Sequence, residues 1–273
     1  MADDVKAGVA RMFDEASASY DEIVPLHTYF GERLVAAAGV SPGDRLLDVA
    51  AGRGACAIPA AAAVGAQGSV VGIDLSAEMV DRLSAAIDAS GLRHIRAEVM
   101  DAEALAFDDR SFDVVTCGFA LFFFPDRVRA LAEFARVLEP GGSIAFSTFA
   151  NDALGYPWFV EVVRPFLPDD GIPADAAQRF LHIDTDALHE QLHQAGFESP
   201  VSRVVDGPFR FESSEQHWDW LMSNGNRFTI QRVDRDDLAA LKEALATRME
   251  EHRDGDGYRF DLPSRFTIAR RAR

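Results

Sequence analysis

The residues best placed to do chemistry lie between positions 48 and 101. Asp48 leads into Val49-Ala50-Ala51-Gly52-Arg53-Gly54-Ala55, a run of small residues that joins an apolar segment to a helical one. Small residues at such a junction let a ligand lie against backbone N–H groups at a helix N-terminus, where larger side chains would block it. Asp74 comes twenty-two residues after Gly52 and ends a second apolar run, Val70-Val71-Gly72-Ile73. A carboxylate there can accept both hydroxyls of a ribose. Asp101, in Met100-Asp101-Ala102-Glu103, adds an acceptor suited to the exocyclic amine of an adenine.

Two ligand classes compete for this pattern. Gly52-Arg53-Gly54-Ala55-Cys56-Ala57 satisfies the GxGxx(G/A) form of a dinucleotide site, so a nicotinamide oxidoreductase has to be weighed. Asp48 separates the two. It sits where a pyrophosphate would lie, and two like charges close together in a partly desolvated site cost several kcal/mol at an effective dielectric of about 20. The same carboxylate favours a ligand that carries a cation, and S-adenosylmethionine carries an ammonium and a sulfonium. Taken singly, each glycine could serve a tight turn and each acid could cap a helix. Three acids at three successive strand ends converge on one sheet edge, where parallel α/β sheets bind ligands.

The elements that must position these residues follow from the hydrophobic pattern. Val5, Val9, Met12, Phe13 and Ala16 recur at helical spacing, and a second helix is predicted from Pro25 to Ala38, ended by Gly39. Strands are predicted at Arg45–Val49, Val70–Asp74, Arg93–Val99, Phe112–Cys117 and Ser143–Thr148, separated by helices at Cys56–Val64, Ala77–Ala89 and Arg127–Leu138. This alternation predicts a mostly parallel sheet covered on both faces. After Phe149 the rhythm breaks. Residues 151–183 are rich in aromatic and turn residues, with no strand signal. A helix is predicted at Asp184–Ala195, a strand at Val201–Val205, and two helical segments over 213–252 broken near Asn224-Gly225-Asn226. A last strand is predicted at Phe266–Ala269.

The chain carries 27 basic and 44 acidic residues, a formal charge of −17 over 273 residues. Nucleic-acid affinity comes largely from Lys and Arg displacing counterions, so this balance argues against nucleic acid and against an anionic membrane surface. No apolar run approaches the length of a membrane span. The acidic start Met1-Ala2-Asp3-Asp4 predicts no secretory leader. Cys56 and Cys117 fit neither a disulfide framework nor a metal site, which points to the cytoplasm and to no metal.

Taken in order, Leu46-Leu47-Asp48-Val49-Ala50-Ala51-Gly52-Arg53-Gly54, Val71-Gly72-Ile73-Asp74-Leu75-Ser76, Asp101-Ala102-Glu103 and Phe112-Asp113-Val114-Val115 lead to Phe124-Pro125-Asp126 and to Glu133-Phe134-Ala135-Arg136-Val137-Leu138-Glu139-Pro140-Gly141-Gly142. This set, spanning 45–149, resembles class I S-adenosylmethionine-dependent methyltransferases, in particular the ubiquinone/menaquinone-biosynthesis-type branch. Residues 1–40, with Tyr20-Asp21, resemble that family's N-terminal lid, and 150–273 match only loosely. The resemblance implies a Rossmann-like α/β fold, with a seven-stranded sheet in the order 3-2-1-4-5-7-6 and the seventh strand antiparallel. Helices would cover both faces, and a helical lid would come from the N-terminus and insertions. It implies a lid at 1–40, a cofactor-binding core at 41–150, cap insertions at 151–183 and 207–257, and completion of the core sheet by 184–206 and 258–273. It further implies that Asp48, Ala50, Gly52, Arg53 and Gly54 hold the methionine moiety, with Asp74 on the ribose. Leu75, Met79, Asp101 and Ala102 would surround the adenine, and Tyr20, Cys117, Gly118 and Phe119 would line the methionine arm.

One departure concerns the chemistry. Where many relatives carry histidines after the fourth strand, this chain reads Ala120-Leu121-Phe122-Phe123-Phe124-Pro125, and phenylalanine cannot remove a proton. His27, His182 and His217 are the candidate bases elsewhere, while Phe119, Phe123 and Trp158 are candidates for the substrate pocket. The expectation is methyl transfer to the oxygen, nitrogen or carbon of a small, partly apolar molecule, with secondary metabolism a plausible setting. The alternative is a protein that binds the cofactor and assists another reaction, such as a cyclisation. The oligomeric state, monomer or homodimer, is left open.

Overall fold

A computed structural model describes residues 2–150, 157–168 and 183–273. Helix α1 (Ala2–Ala16) and helix α2 (Leu26–Ala38) precede the sheet, and α2 stops at Gly39, whose φ of 74° is left-handed. Strand β1 (Arg45–Val49) leads through the glycine loop into α3 (Ala57–Val64). Next come β2 (Ser69–Asp74), α4 (Ala77–Ser90), β3 (Ile95–Val99), β4 (Phe112–Gly118), α5 (Arg127–Val137) and β5 (Leu138–Phe149). β1 is buried at every position from Leu46 on, as a central strand covered on both faces must be. Ser76 caps α4 by accepting from the Met79 N–H at 3.1 Å, which fixes the chain direction immediately after Asp74.

The remaining elements are α6 (Pro157–Val163), α7 (Thr185–Gln194), β6 (Phe197–Val205), β7 (Pro208–Phe211), α8 (Ser214–Met222), α9 (Asn226–Ile230), α10 (Leu238–Met249), β8 (Arg253–Asp254), β9 (Gly257–Asp261) and β10 (Ser264–Arg271). The main sheet has seven strands in the order β3-β2-β1-β4-β5-β10-β6. Its first five are parallel, and β10 runs antiparallel to both β5 and β6. With β10 counted as the seventh core strand, this is the order the resemblance implies. Leu46, Leu47, Phe134, Phe146 and Phe266 are fully buried in the core.

Three features differ from the sequence expectation. The sequence predicts a helix as far as Leu138 and a strand only from Ser143, yet β5 begins at Leu138. Leu138 pairs with Phe112 and Ser143 with Val114, so residues 139–142 bulge out of a continuing strand. Gly142 makes the bulge possible, because a Cβ there would lie 2.8 Å from the Asp113 carbonyl. The sequence predicts no strand beside the helices of 213–252, yet β7, β9 and β8 flank them and form a second antiparallel sheet that ends at Asp261. Its alternating Phe209/Phe211 and Tyr258/Phe260 are buried. Finally, the helical stretch after Asn224-Gly225-Asn226 divides again, into α9 and α10.

Candidate active site

The carboxyl ends of β1, β2, β3 and β4 open into one cavity of about 730 Å³ of empty space, roofed by Lys6, Val9 and Phe13 of α1 and by Tyr20. Its lining includes Ala50, Gly52, Asp74, Leu75, Met79, Asp101, Ala102, Gly118, Phe119 and Phe123. Residues as far apart in sequence as Ala50 and Phe123 therefore meet at one sheet edge, and the parallel crossovers bring them there. Ala50 (φ 54°), Gly52 (φ 52°) and Phe119 (φ 53°) all adopt left-handed backbone on the cavity wall. For a bulky residue such as Phe119 this is costly, and it persists because its N–H donates to both the carbonyl (2.9 Å) and the Oγ (3.1 Å) of Ser147.

Asp74 is fixed by two backbone donors. Gly52 N–H donates to Oδ2 at 2.8 Å and Ser76 N–H to Oδ1 at 2.9 Å. Burial raises its pKa, and these donors pull it back down. Its carboxylate still borders the cavity, with lone pairs left to accept hydroxyls. A Cβ built on Gly52 would meet nothing within 4 Å, so the space over the loop stays clear. Asp101 accepts from Lys6 Nζ at 2.7 Å and from the Glu103 N–H at 2.9 Å. Lys6 also pairs with buried Glu103 at 2.5 Å.

Asp48 lies beneath the loop rather than on the cavity wall. It is only 1% exposed. Its Oδ1 accepts from Thr116 Oγ1 at 2.8 Å, and Oδ2 has no hydrogen-bond partner. Desolvation pushes its pKa up to about 7, against the pull of the Thr116 bond and of the nearby Ala57 N–H. A carboxylate kept in this condition favours a cation above it.

Several of the sequence candidates lie elsewhere. Arg53 turns away from the cavity to donate to the Tyr20 carbonyl at 2.8 Å and to pair with Glu22, so it ties the loop to the N-terminal segment. Gly54 faces the core, where a Cβ would lie 2.6 Å from Leu83 Cδ1. Cys117 is fully buried in β4, and burial beside Asp48 pushes its thiol pKa well up, as it does for Cys56.

Trp158 and His217 pack with Phe260 and His252 in an aromatic cluster between the cap helices and the second sheet, and neither lines the cavity. Burial lowers the His217 pKa to about 3. His182 lies outside the described residues. His27 stacks on Tyr20 at 4.5 Å and meets the edge of Phe119 at 5.5 Å, one ring behind the wall. Sequence reasoning missed Lys6, Glu103, Phe124 and Pro125 as lining residues. The apolar stripe of α1 signals that the helix docks on something, but nothing in it marks Lys6 as the residue that reaches the acids.

A model of the methyltransferase domain matches residues 46–142. The chain is 41% identical over 164 residues to aklanonic acid methyltransferase DauC of Streptomyces sp. (strain C5), covering 60% of this chain and 74% of the relative. It is 31% identical over 271 residues to nocamycin O-methyltransferase of Saccharothrix syringae, covering 95% and 97%. The chain belongs to the S-adenosylmethionine-dependent methyltransferases. The methyltransferase also shares its fold with the YcgJ protein of Bacillus subtilis, at a TM-score of 0.62 and 19% identity over 90% of this chain and 99% of that one. S-adenosylmethionine supplies an electrophilic methyl group on a sulfonium. The methyltransferase's site suits that molecule in three respects: an unpartnered carboxylate oxygen under the loop, open space above Gly52, and an acid fixed at the end of β2.

Proposed function

We propose that the enzyme methylates an oxygen of a small, flat, largely apolar molecule in secondary metabolism. The observation that carries this reading is the wall of Phe119, Phe123, Phe124 and Pro125 facing Val9, Phe13 and Tyr20 of the N-terminal segment, a group without a charged side chain. Phe13 meets Phe123 edge to face at 5.3 Å and Tyr20 at 5.9 Å, so the two sides form one aromatic surface. Such a surface excludes water, takes a planar acceptor, and offers ring faces to a sulfonium. Nocamycin O-methyltransferase, similar over nearly its whole length, is named for an oxygen acceptor.

In this reading Asp74 takes the ribose hydroxyls, and Leu75, Met79, Asp101 and Ala102 surround the adenine. Ala50 and Gly52 receive the methionine arm beside Gly118, with the Asp48 charge below. Residues 1–40 act as the lid, 41–150 as the cofactor core completed by 184–206 and 258–273, and 207–257 as the cap, while the cap insertion expected at 151–183 lies largely outside the described residues. No helix among the described residues is long and apolar enough to cross a membrane. A charge of −17 speaks against nucleic acid as substrate. The reading includes a cytoplasmic enzyme, supported by the free, buried Cys56 and Cys117.

The test is incubation with methyl-deuterated S-adenosylmethionine and a panel of phenols, enols, aromatic amines and carboxylic acids, read by mass spectrometry. Deuteromethyl ethers or esters are expected. Label on nitrogen or carbon alone moves the acceptor atom and overturns the oxygen assignment. Isomerised product with the cofactor unconsumed would instead support assistance of a cyclisation, a reading favoured by the lack of a proton acceptor in Leu121-Phe122-Phe123-Phe124.

A further inference from the structure

The aromatic wall holds no base, yet an oxygen acceptor must lose its proton. His27 is the second residue of α2, and Asp21 folds back under it. Asp21 Oδ1 lies 3.0 Å from His27 Nδ1 and accepts the His27 backbone N–H at 2.8 Å. Oδ2 accepts from the Thr28 N–H and from Thr28 Oγ1, each at 2.8 Å. Four contacts hold one carboxylate, and Asp21 takes a left-handed backbone (φ 62°) to make them. Part of this work is helix capping, since two of the donors are first-turn amides of α2. The ring contact adds something capping does not require: a carboxylate on Nδ1 fixes the proton there and leaves the Nε2 lone pair free. Nε2 makes no hydrogen bond among the described residues.

The ring is positioned as well as polarised. It stacks on Tyr20 (4.5 Å between centroids, 27° between planes) and abuts Phe119, and both of those line the cavity. Other histidines are engaged elsewhere. The Nε2 atoms of His94 and His189 contact Ala61 O and Ser202 Oγ, His193 Nδ1 contacts Phe197 O, and His217 and His252 belong to the cap cluster. Asp21 is the charged group in contact with the His27 ring, while the Arg53–Glu22 pair sits at the carbonyl of the stacked Tyr20, whose ring also feels Asp74.

We propose that His27, oriented by Asp21 and one ring behind the cavity wall, accepts the proton of the acceptor hydroxyl through one water, while that hydroxyl lies against Tyr20 and Phe119. This rests on the oxygen-methylation reading above. The O–H bond breaks and its proton forms the Nε2–H bond. The freed oxygen pair forms the bond to the methyl carbon, and the C–S pair stays on sulfur as a neutral thioether. The imidazolium, paired with Asp21, returns the proton to water. His27 is the catalytic residue and Asp21 a positioning residue. Desolvation gives Tyr20 a strongly raised pKa, so its hydroxyl keeps its own proton and does not compete as a base.

Two measurements test this. Nitrogen NMR of histidine-labelled protein without ligand is expected to show neutral His27 protonated at Nδ1, and a proton on Nε2 would overturn the proposal. In the second, 4-nitrophenol is added to the S-adenosylhomocysteine complex at a pH where the free phenol is protonated. Wild type is expected to bind it as the coloured phenolate. His27→Gln should cut that signal about a hundredfold, the scale of a general base. Asp21→Asn, which suits the left-handed backbone, should cut it about tenfold. Both variants should keep S-adenosylhomocysteine affinity within about threefold, showing an intact cofactor site. A phenolate signal equal to wild type in either variant, or protonated phenol bound by wild type, overturns the dyad. Failure of wild type to bind 4-nitrophenol in any form overturns the acceptor class, and the tautomer then decides the dyad alone.

Discussion

Lys6 Nζ lies 2.7 Å from Asp101 Oδ2, so the helix that roofs the cavity is fastened to an acid at the end of the third strand. Asp14, farther along the same helix, accepts from Ser76 Oγ at 2.5 Å beside Asp74, and Glu22 pairs with Arg53 of the glycine loop. The N-terminal segment thus makes a polar tie to each of the three strand-end loops. Lys6→Met keeps the apolar stem and removes the charge, at a cost of about 1 kcal/mol of local stability. Amide hydrogen exchange over residues 2–16 is expected to quicken about fivefold, with the core strands unchanged. Unaltered exchange in α1 would show that the pairs carry no load.

Asp74 offers a direct test of the cofactor site. Asp74→Ala removes the acceptor facing the cavity and leaves the Gly52 and Ser76 N–H groups without their partner. Calorimetric titration with S-adenosylhomocysteine should show affinity falling more than about tenfold, since a charged hydrogen bond is worth roughly 1.5–3 kcal/mol.

Asp48 makes stability depend on pH in an unusual direction for a carboxylate. Its folded pKa of about 7 lies above its unfolded value, so the folded state holds the proton more tightly. This contribution is fully present below the unfolded pKa and is lost as pH rises through about 7. Asp48→Asn should therefore raise the unfolding free energy of the ligand-free protein at pH 8, by an amount on the order of a few kcal/mol, and by much less at pH 5, as denaturant titrations at the two pH values would show. A difference that grows toward acid would contradict the assignment.

Two glycines in neighbouring helices should respond oppositely to alanine. In α1, a Cβ on Gly8 would meet nothing within 4 Å, so Gly8→Ala should stabilise the protein by about 0.5–1 kcal/mol. In α2, a Cβ on Gly31 would lie 2.1 Å from the Ala55 carbonyl, where the helix backbone presses on the glycine loop. Gly31→Ala should cost about 1–3 kcal/mol and weaken S-adenosylhomocysteine binding, because the loop must move to admit the methyl group. Thermal melts and titrations of the two variants decide it.

His217, although a histidine, belongs to packing. Its folded pKa of about 3 lies below the unfolded value, so stability is lost as pH falls from about 6.5 toward 3. His217→Phe should flatten that acid loss and leave S-adenosylhomocysteine affinity within about twofold. Loss of binding would bring His217 back to the site.

The acidic half of the cavity, with Asp74 and Asp101, was legible because each acid ends a local apolar run, and the alternation of elements dictates that those ends converge. The aromatic half was less so. Phe119 and Phe123 belong to a run of aromatics whose spacing cannot say which rings face the cavity. The second sheet went unpredicted: Phe209/Phe211 and Tyr258/Phe260 do alternate, but over four and five residues that signal is weak beside the helical segments between them. That second sheet is what draws His217 and Trp158 into a common core. Asp21 and His27 were within reach as a pair only once the turn between α1 and α2 had a shape, because a left-handed aspartate leaves no mark in the sequence.

β10 lies between β5 and β6, and all three belong to one sheet. During synthesis β5 emerges more than a hundred residues before its neighbour exists, and β6 has no place in the sheet until residues 264–271 arrive to bridge it. The nascent chain therefore carries an open edge along β5, with buried Ile144 and Phe146 behind it, through the production of the entire cap. Folding of this enzyme has to finish late and from the C-terminal side. A truncation ahead of Ser264 would remove few residues and leave the sheet in two pieces.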